Sequence, residues 1–392
     1  MLFNNQKNIT KRKANKMQVL ELMNREDNWE EILQGEPYFI NIKKKDDYVL
    51  LKYNQIFSDF SNEIVRECRG AIFRKNVDGR WICVSRGFDK FMNFGESYAP
   101  KIDWESAIVM EKVDGSLIKF FYDNEEWHIA TNGQIDAFEI SINDEGLTFG
   151  DLVFKALGGQ EQFSKLTYLL DRNFTYMFEL VSPITQVVIP YPNTELYYLG
   201  ARDIITMRED RLKDNSIMVK FGIKQPKYYA TIHDIDECIR NANEMGKDNE
   251  GFVVVDDCYN RIKVKSPEYL RAAKLNNNNR ITIKRVVEMM REEQLDDFIA
   301  YCPQHEEMVN KVIGALKEME EECAREWEEV KELARKEKKE FVSIVKSKGV
   351  KWPNYLYWKY SNSEGAPSQF FNKMLVKTIT DLIRRKINEK SN

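Results

Sequence analysis

Short apolar runs separated by turn residues dominate the chain from Tyr38 to about Lys265. AIF (71–73) precedes NVDG, SLIKFFY (116–122) precedes DNEE, WHIAT (127–131) precedes Asn132-Gly133, and FVVV (252–255) precedes DDC; WICVS (81–85) is a further run. Each has the length and boundaries of a strand, and the tight turns predict hairpins. Helical spacing interrupts this texture twice, at Gly150 to Leu157 continued by Gln160 to Leu169, and at Thr231 to Met245. The pattern predicts an α+β region of antiparallel sheets with flanking helices.

After Ser266 the texture changes. Pro267 opens a region of helix formers, broken at Asn276 to Asn279. Within it Val312, Leu316, Met319, Cys323, Trp327, Val330 and Ala334 recur at three- and four-residue spacing, which predicts a long amphipathic helix packed on its neighbours. A last helix is expected from about Gln369 to Ile387. Upstream, the first 35 residues are rich in Asn and Lys, with Val19, Leu20, Leu22 and Met23 placed to line a short helix. Two domains are therefore expected, 1–266 built on sheets and 267–392 all-α.

Composition narrows the class. The chain has 392 residues, 43% hydrophobic and 31% charged, which excludes a disordered acidic or basic tail protein. No apolar run reaches the roughly 18 residues that span a bilayer, and the N-terminal stretch has no apolar core of a secretory signal. Six scattered cysteines without a CxxC pair point to a reducing cytoplasm and away from a structural zinc. Three histidines, at 128, 233 and 305, leave little room for His-based chemistry. The net charge of −4 does not describe a globally basic nucleic-acid binder, yet it conceals segregation. Arg291 to Glu340 carries 9 basic and 16 acidic residues, whereas Phe341 to Asn392 carries 10 basic and 3 acidic, including Arg384, Arg385 and Lys386. That basic stretch can face an anion, although solvated helix faces would read the same way.

The sharpest local feature is Glu111-Lys112-Val113-Asp114-Gly115-Ser116, between the runs AIVM and SLIKFFY. A partly desolvated lysine held between two strands can act as a nucleophile, and Asp-Gly permits the tight turn that presents it. Alone, K-x-D-G is a common surface hairpin. The surroundings change its weight. Upstream lie Glu67-Cys68-Arg69-Gly70 and Phe88-Asp89-Lys90-Phe91-Met92-Asn93-Phe94; downstream come FELV (178–181), EGFVV (250–254) and IKVKS (262–266). Lys263 and Lys265 are two apart, so on a strand both point to one face, where paired ammonium groups call for an anion.

This ordered set resembles the covalent nucleotidyltransferases, and within them the phage RNA ligase 1 family. The resemblance covers about Tyr53 to Ser266, and it implies a nucleotidyltransferase domain followed by an all-α C-terminal domain. It further implies an enzyme, an ATP-dependent RNA ligase acting in RNA repair, with tRNA among its substrates. Lys112 would take AMP from ATP, pass it to an RNA 5′-phosphate, and a 3′-OH would displace it. By resemblance Glu179 would bind a ribose hydroxyl, Glu250 would hold Mg²⁺ through water with Mn²⁺ able to substitute, and Lys263 and Lys265 would contact the triphosphate. Arg69 and Lys90 match phosphate- and nucleotide-handling positions. Tyr53 would lie near the nucleotide and Phe252 would stack adenine, with core packing the alternative for each. Asn132 departs from the pattern, which commonly has a basic residue there. A cytoplasmic monomer that binds RNA and no membrane is expected. The rival readings are a non-catalytic RNA-binding relative, and a DNA ligase or capping enzyme. The latter two would place a small β-barrel where this chain has helices.

Overall fold

The computed structural model describes residues 17–55, 57–139, 141–143, 145–210, 215–276, 281–291, 295, 298–299, 305–363 and 365–389. The expected features at 1–16, 277–279 and 390–392 lie outside the described residues. The chain begins α1 (Gln18–Arg25), α2 (Trp29–Gln34), β1 (Ile40–Lys45), β2 (Tyr48–Tyr53), α3 (Glu63–Glu67), β3 (Arg69–Lys75), β4 (Trp81–Ser85) and β5 (Met92–Asn93). It continues with β6 (Ile108–Glu111), β7 (Ser116–Asp123), β8 (Glu126–Thr131), α4 (Phe149–Leu157), α5 (Gln160–Thr167), β9 (Phe174–Val181) and β10 (Glu195–Asp203). Then come β11 (Glu209–Asp210), α6 (Ser216–Lys220), α7 (Ile235–Glu244), β12 (Gly251–Val255) and β13 (Arg261–Lys265).

These strands form three sheets, in the orders β1-β2-β3-β4, β11-β10-β9-β7-β8 and β5-β13-β12-β6. All pairings are antiparallel except β5 with β13. Local chemistry explains the joints. Asn124 and Glu125 link β7 to β8 with φ of 47° and 65°, the two positive values whose twist matches flanking strands. Thr148 and Asp151 cap each other at the start of α4, an arrangement that contributes about 1 kcal/mol. The stretch expected to be helical from Thr231 begins only at Ile235, because the Asp234 carboxylate accepts the Glu237 N–H and fixes the helix start there.

Each sheet buries its own apolar face. Val19, Leu22 and Met23 of α1 pack over the first sheet with Leu51 and Phe73. Leu152 and Val153 of α4 cover Phe120 and Phe178 of the second. Cys238 and Ala242 of α7 cover Phe252, Val254, Ile262 and Val264 of the third.

The rest is helical: α8 (Pro267–Asn276), α9 (Ile283–Arg291), α10 (Glu306–Val330), α11 (Lys338–Lys348), α12 (Pro353–Ser361), α13 (Pro367–Asn372) and α14 (Val376–Glu389). In α10 the expected stripe is the buried one: Val312, Met319, Cys323 and Val330 are in the core, with Leu316, Trp327 and Ala334 packed against it. The single last helix expected from Gln369 is two helices. Their junction exposes carbonyls that the buried Arg291 guanidinium takes from another helix, at 2.6 Å to Met374 O and 3.4 Å to Phe371 O. Helical spacing on both sides hides such a break.

Candidate active site

The three sheets meet around an open cleft of about 1120 Å³. Six cations line it, Lys52, Arg69, Lys90, Lys112, Arg261 and Lys263, against the carboxylates of Glu111 and Glu179. Such an excess in a concave site attracts polyanions.

Lys112 follows β6 directly, and its N–H donates to Gly251 O at 2.9 Å, which prolongs the ladder to β12 by one residue. Its Nζ lies 2.8 Å from Glu250 Oε2, while Glu250 Oε1 lies 2.5 Å from Lys265 Nζ. Glu250 is buried, so one desolvated carboxylate bridges two ammonium groups, the geometry that makes a buried charge tolerable. Gly251 allows this approach: its φ is +136°, and a Cβ there would meet Val264 O at 2.2 Å. Gly115 does the same for the other side of the loop, where a Cβ would meet Leu180 O at 2.4 Å.

Glu179 stands on β9 opposite Leu117 of β7. Burial pushes its carboxyl up to about 8; Lys112 pulls the other way and Glu250 adds to the rise. Asp114 is buried, and burial, reinforced by Glu250, pushes it up to about 6. Its Oδ2 accepts the N–H groups of Val188 and Ile189 at 3.0 and 2.8 Å, and its Oδ1 accepts the Tyr269 hydroxyl at 2.8 Å.

The aromatic wall carries the other cations. Arg69, Lys263 and Arg261 lie 5.4, 5.5 and 5.7 Å from the centre of the Phe91 ring. Lys90 lies 5.1 Å from the Tyr53 ring and bonds Gln55 Oε1 at 3.2 Å. Behind this wall runs an alternating network, buried at Arg86, Arg202, Glu209 and Arg261 and partly open at Asp89. Arg261 and Arg202 both hold Glu209, and Arg202 and Arg86 both hold Asp89. Burial works against the Asp89 carboxyl, but Arg86 and Arg202 together keep it below its ordinary value.

The cleft thus gathers Tyr53, Arg69, Lys90, Lys112, Glu179 and Lys263 from the residues singled out in the sequence. Tyr53 is buried in the first core, as its packing reading expects, and its ring also lines the cleft 5.1 Å from the Lys90 ammonium. Two residues sit differently from expectation. Phe252 does not face the cleft. It is fully buried against Val264 and Ile262, edge-on to Tyr229 at 4.9 Å. Strand alternation sends Phe252 and Val254 inward and leaves Val253 on the cleft, so the residue after Gly251 contributes core burial of about 2–3 kcal/mol. Lys265 shares a face with Lys263 as its spacing requires, but it stands behind Glu250 with its ammonium 5.3 Å from the Tyr269 ring.

Sequence reasoning missed Lys52, Arg261 and the anchoring role of Asp114. Arg261 extends the Lys263/Lys265 alternation by one step, a signal that was available; for Lys52 and Asp114 only the tertiary contacts speak. Asn132 also lines the cleft, and its Oδ1 is buried without a hydrogen-bond donor among the described residues. No cluster of three His, Cys, Asp or Glu side chains suited to a metal occurs among the described residues. Glu250, whose two oxygens hold Lys112 and Lys265, would reach an ion only through water, which suits one that brings phosphate oxygens and water as its other ligands, as Mg²⁺ does.

Comparison with known proteins agrees with the motif order. The chain is 31% identical over 285 residues to a protein of Autographa californica nuclear polyhedrosis virus provisionally named a bifunctional polynucleotide kinase/RNA ligase. That match covers 69% of this chain and 39% of the viral protein, so the chain spans well under half of that relative's length. It is 28% identical over 333 residues to the RNA ligase of Rhodothermus phage RM378, covering 70% of this chain and 74% of the phage protein. Among solved structures, an archaeal ATP-dependent RNA ligase superposes with a TM-score of 0.41 and 14% identity, covering 76% of this chain and 82% of that one. Residues 67–269, a little over half of the chain and the stretch that holds Arg69, Lys90, Lys112, Glu179, Glu250, Lys263 and Lys265, match the RNA ligase family, and the chain belongs to it.

Proposed function

We propose that this chain is an ATP-dependent RNA ligase that joins RNA 5′-phosphate and 3′-hydroxyl ends through a lysyl-AMP intermediate. The observation that carries the reading is the bridge Lys112–Glu250–Lys265. It draws together residues 138 positions apart at the wall of a cation-lined cleft. A buried carboxylate between two lysines is costly for a purely structural purpose, and apolar residues would fill the space more cheaply.

In the first step the Lys112 amine attacks the α-phosphorus of ATP; an N–P bond forms and pyrophosphate departs with the bridging oxygen. An RNA 5′-phosphate oxygen then attacks the same phosphorus and releases the lysine. Finally an RNA 3′-hydroxyl attacks the RNA 5′-phosphorus and releases AMP. This chemistry asks for positioning and charge neutralisation more than for acid–base groups, which suits a histidine-poor site. Glu179 would take a ribose hydroxyl, Arg69, Lys90 and Lys263 would stabilise phosphate charge as it develops, and Lys265 would act on it from behind Glu250. Glu250 would hold a divalent ion through water, with Mn²⁺ able to replace Mg²⁺, and such an ion neutralises the triphosphate. Residues 1–266 would form the adenylyltransferase domain and 267–392 a helical domain for choice of RNA, tRNA-like repair substrates included.

The test is incubation with α-labelled ATP and Mg²⁺, followed by denaturation and peptide mapping. Label on the Lys112 peptide, discharged by pyrophosphate or by 5′-phosphorylated RNA, is the expected result. Label from GTP alone would indicate a capping activity. A chain that binds RNA but takes no label would be the non-catalytic relative.

A further inference from the structure

The first sheet carries an irregularity on its cleft side. β2 and β3 pair in register as far as Leu51 with Ala71, and the next pair is Lys52 with Arg69, so Gly70 is an extra residue on β3. Its φ is +73°, the left-handed value of a glycine-led bulge, and a Cβ on it would meet the Asn132 carbonyl oxygen at 2.4 Å. The ammonium of Lys119, which is fully buried, donates to Gly70 O and pins the bulge. Beyond it the ladder resumes, with the Tyr53 N–H on Cys68 O at 2.7 Å. The bulge changes what the strand presents. Without it Arg69 would stand on the side of Ala71 and Phe73, which pack toward α1. With it Arg69 stands on the side of Ile72, which packs with Leu50 toward the second sheet.

Register partners leave a sheet on the same face, with Cα atoms about 5 Å apart. Lys52 and Arg69 both line the cleft, beside Asn132. Arg69 is fixed there by a bond to Phe88 O at 3.3 Å and by the Phe91 ring. We propose that Lys52 is a phosphate-binding residue of the cleft, joined with Arg69 across the Gly70 bulge into one site for a phosphate group. Two cations on one stretch of a concave wall attract a doubly charged oxyanion more strongly than either does alone. A left-handed glycine and a buried lysine beneath it are more than a solvated surface lysine needs. The inference rests on the nucleotidyl-transfer reading above, in which every step brings phosphate into this cleft, from ATP or from RNA. It adds to that reading a residue that lies outside every motif segment legible in the sequence.

In the full-length chain Lys52→Met keeps the length of the side chain and removes its charge, whereas Lys52→Arg keeps the charge. Two single-turnover reactions separate the sources of phosphate. One is lysyl-AMP formation against ATP concentration; the other is sealing of RNA supplied already adenylated at its 5′ end, without ATP and against RNA concentration. The melting temperature is followed in parallel. A charge-assisted contact to phosphate changes binding about tenfold. If the site takes the outer phosphates of ATP, Lys52→Met should raise half-saturating ATP about tenfold, leaving the maximal rate and the sealing reaction near wild type. If it takes a phosphate of the RNA, sealing should need about tenfold more RNA. The log–log dependence of sealing on salt should then flatten by roughly 0.7, with adenylation near wild type. In either case Lys52→Arg should retain most of the wild-type affinity.

Wild-type half-saturation of Lys52→Met in both reactions would overturn the inference while leaving the proposed function standing. A loss that Lys52→Arg shares in full, or one accounted for by a lowered melting temperature, would also overturn it, since the charge would then not be what acts. A wild-type chain that takes no label from ATP and seals no adenylated RNA removes the proposed function, and this inference with it.

Discussion

Two glutamates, Glu179 in the cleft and Glu322 in the helical region, are displaced in opposite directions. Glu179 is pushed up to about 8 by burial among other carboxylates, with Lys112 only partly offsetting it. Glu322 is held down to about 2: burial opposes this, but Lys386, the Trp352 indole and Lys351 together outweigh it. Glu322 has donors enough, and its charge supports the fold, whereas Glu320, two positions earlier on the same helix, is pushed up to about 7 by burial. At Glu179 burial outweighs the pull of Lys112 and Arg69, so the carboxyl holds its proton in spite of the surrounding cations. What sets Glu179 apart from Glu320 is its place in a cation-lined cleft.

The largest effect that would break this contrast is at Lys112. Lys112→Ala should abolish formation of the protein–AMP adduct, because the amine is the attacking atom, while the melting temperature should stay near wild type, because Glu250 keeps Lys265 as its counter-charge. Arginine should fail as well, since a guanidinium stays protonated. Adduct at wild-type level in Lys112→Ala would remove the assignment.

Next in size is the bridge. Glu250→Gln leaves Lys112 and Lys265 facing one another without a counter-charge, so adenylation should fall on the order of a hundredfold. Lys263→Ala should also slow adenylation by loss of a donor to developing charge, on the order of tenfold, with stability little changed. A Lys263→Ala chain that adenylates and ligates normally would place the triphosphate elsewhere.

How much of this was legible depends on whether the information was local. The strand runs, the α10 stripe and the motif order were readable because alternation and three- or four-residue spacing are properties of neighbours in sequence. Lys112, Glu179, Glu250 and Lys263 were found through such segments. The orientation of Phe252 was open because an apolar residue after Glu-Gly reads equally as core or as cleft, and only the facing layer, α7 with Tyr229, decides it. Lys52, Arg261 and Asp114 acquire meaning from partners far away in the chain: Arg261 from Glu209, Asp114 from Val188 and Tyr269. The break before α14 was hidden because the carbonyl-binding guanidinium comes from Arg291, some eighty positions upstream.

The two glutamates make the contrast measurable as a pH dependence. Glu179 in the folded chain keeps its proton up to about 8, whereas the unfolded chain loses it near 4.5. Its contribution to stability is therefore whole below 4.5 and lost as the pH rises through 8. Glu179→Gln should melt like wild type at pH 4 and above it at pH 9. Glu322 runs the other way: its contribution is whole above 4.5 and lost as the pH falls through 2. Glu322→Gln should lower the melting temperature by a few degrees at pH 7, and the deficit should close toward pH 2. Parallel pH curves for the two variants would dissolve the distinction between the two glutamates.

The smallest expected effect concerns RNA and tests whether the basic stretch after Phe341 does more than solvate helices. Of the basic residues on the last helix, Lys386 is not available, since it is half-buried between Glu318 and Glu322. Lys377, Arg384 and Arg385 are exposed, and Lys377 and Arg384 are seven apart, on one face of α14. Replacing these three with Gln should leave lysyl-AMP formation unchanged, because no cleft residue touches them. Joining of a structured, tRNA-like RNA should weaken at moderate salt, and the log–log dependence of affinity on salt should flatten by roughly 0.7 for each phosphate no longer neutralised. Lys386→Gln should instead reproduce the melting deficit of Glu322→Gln and leave the salt slope alone. If the triple variant lowers joining of structured and short single-stranded RNA equally, or leaves the slope intact, the helical region supports the adenylating domain without reading the substrate. Its charges would then belong with the helix-solvating pairs, such as Lys311 with Glu307, rather than with those of the cleft.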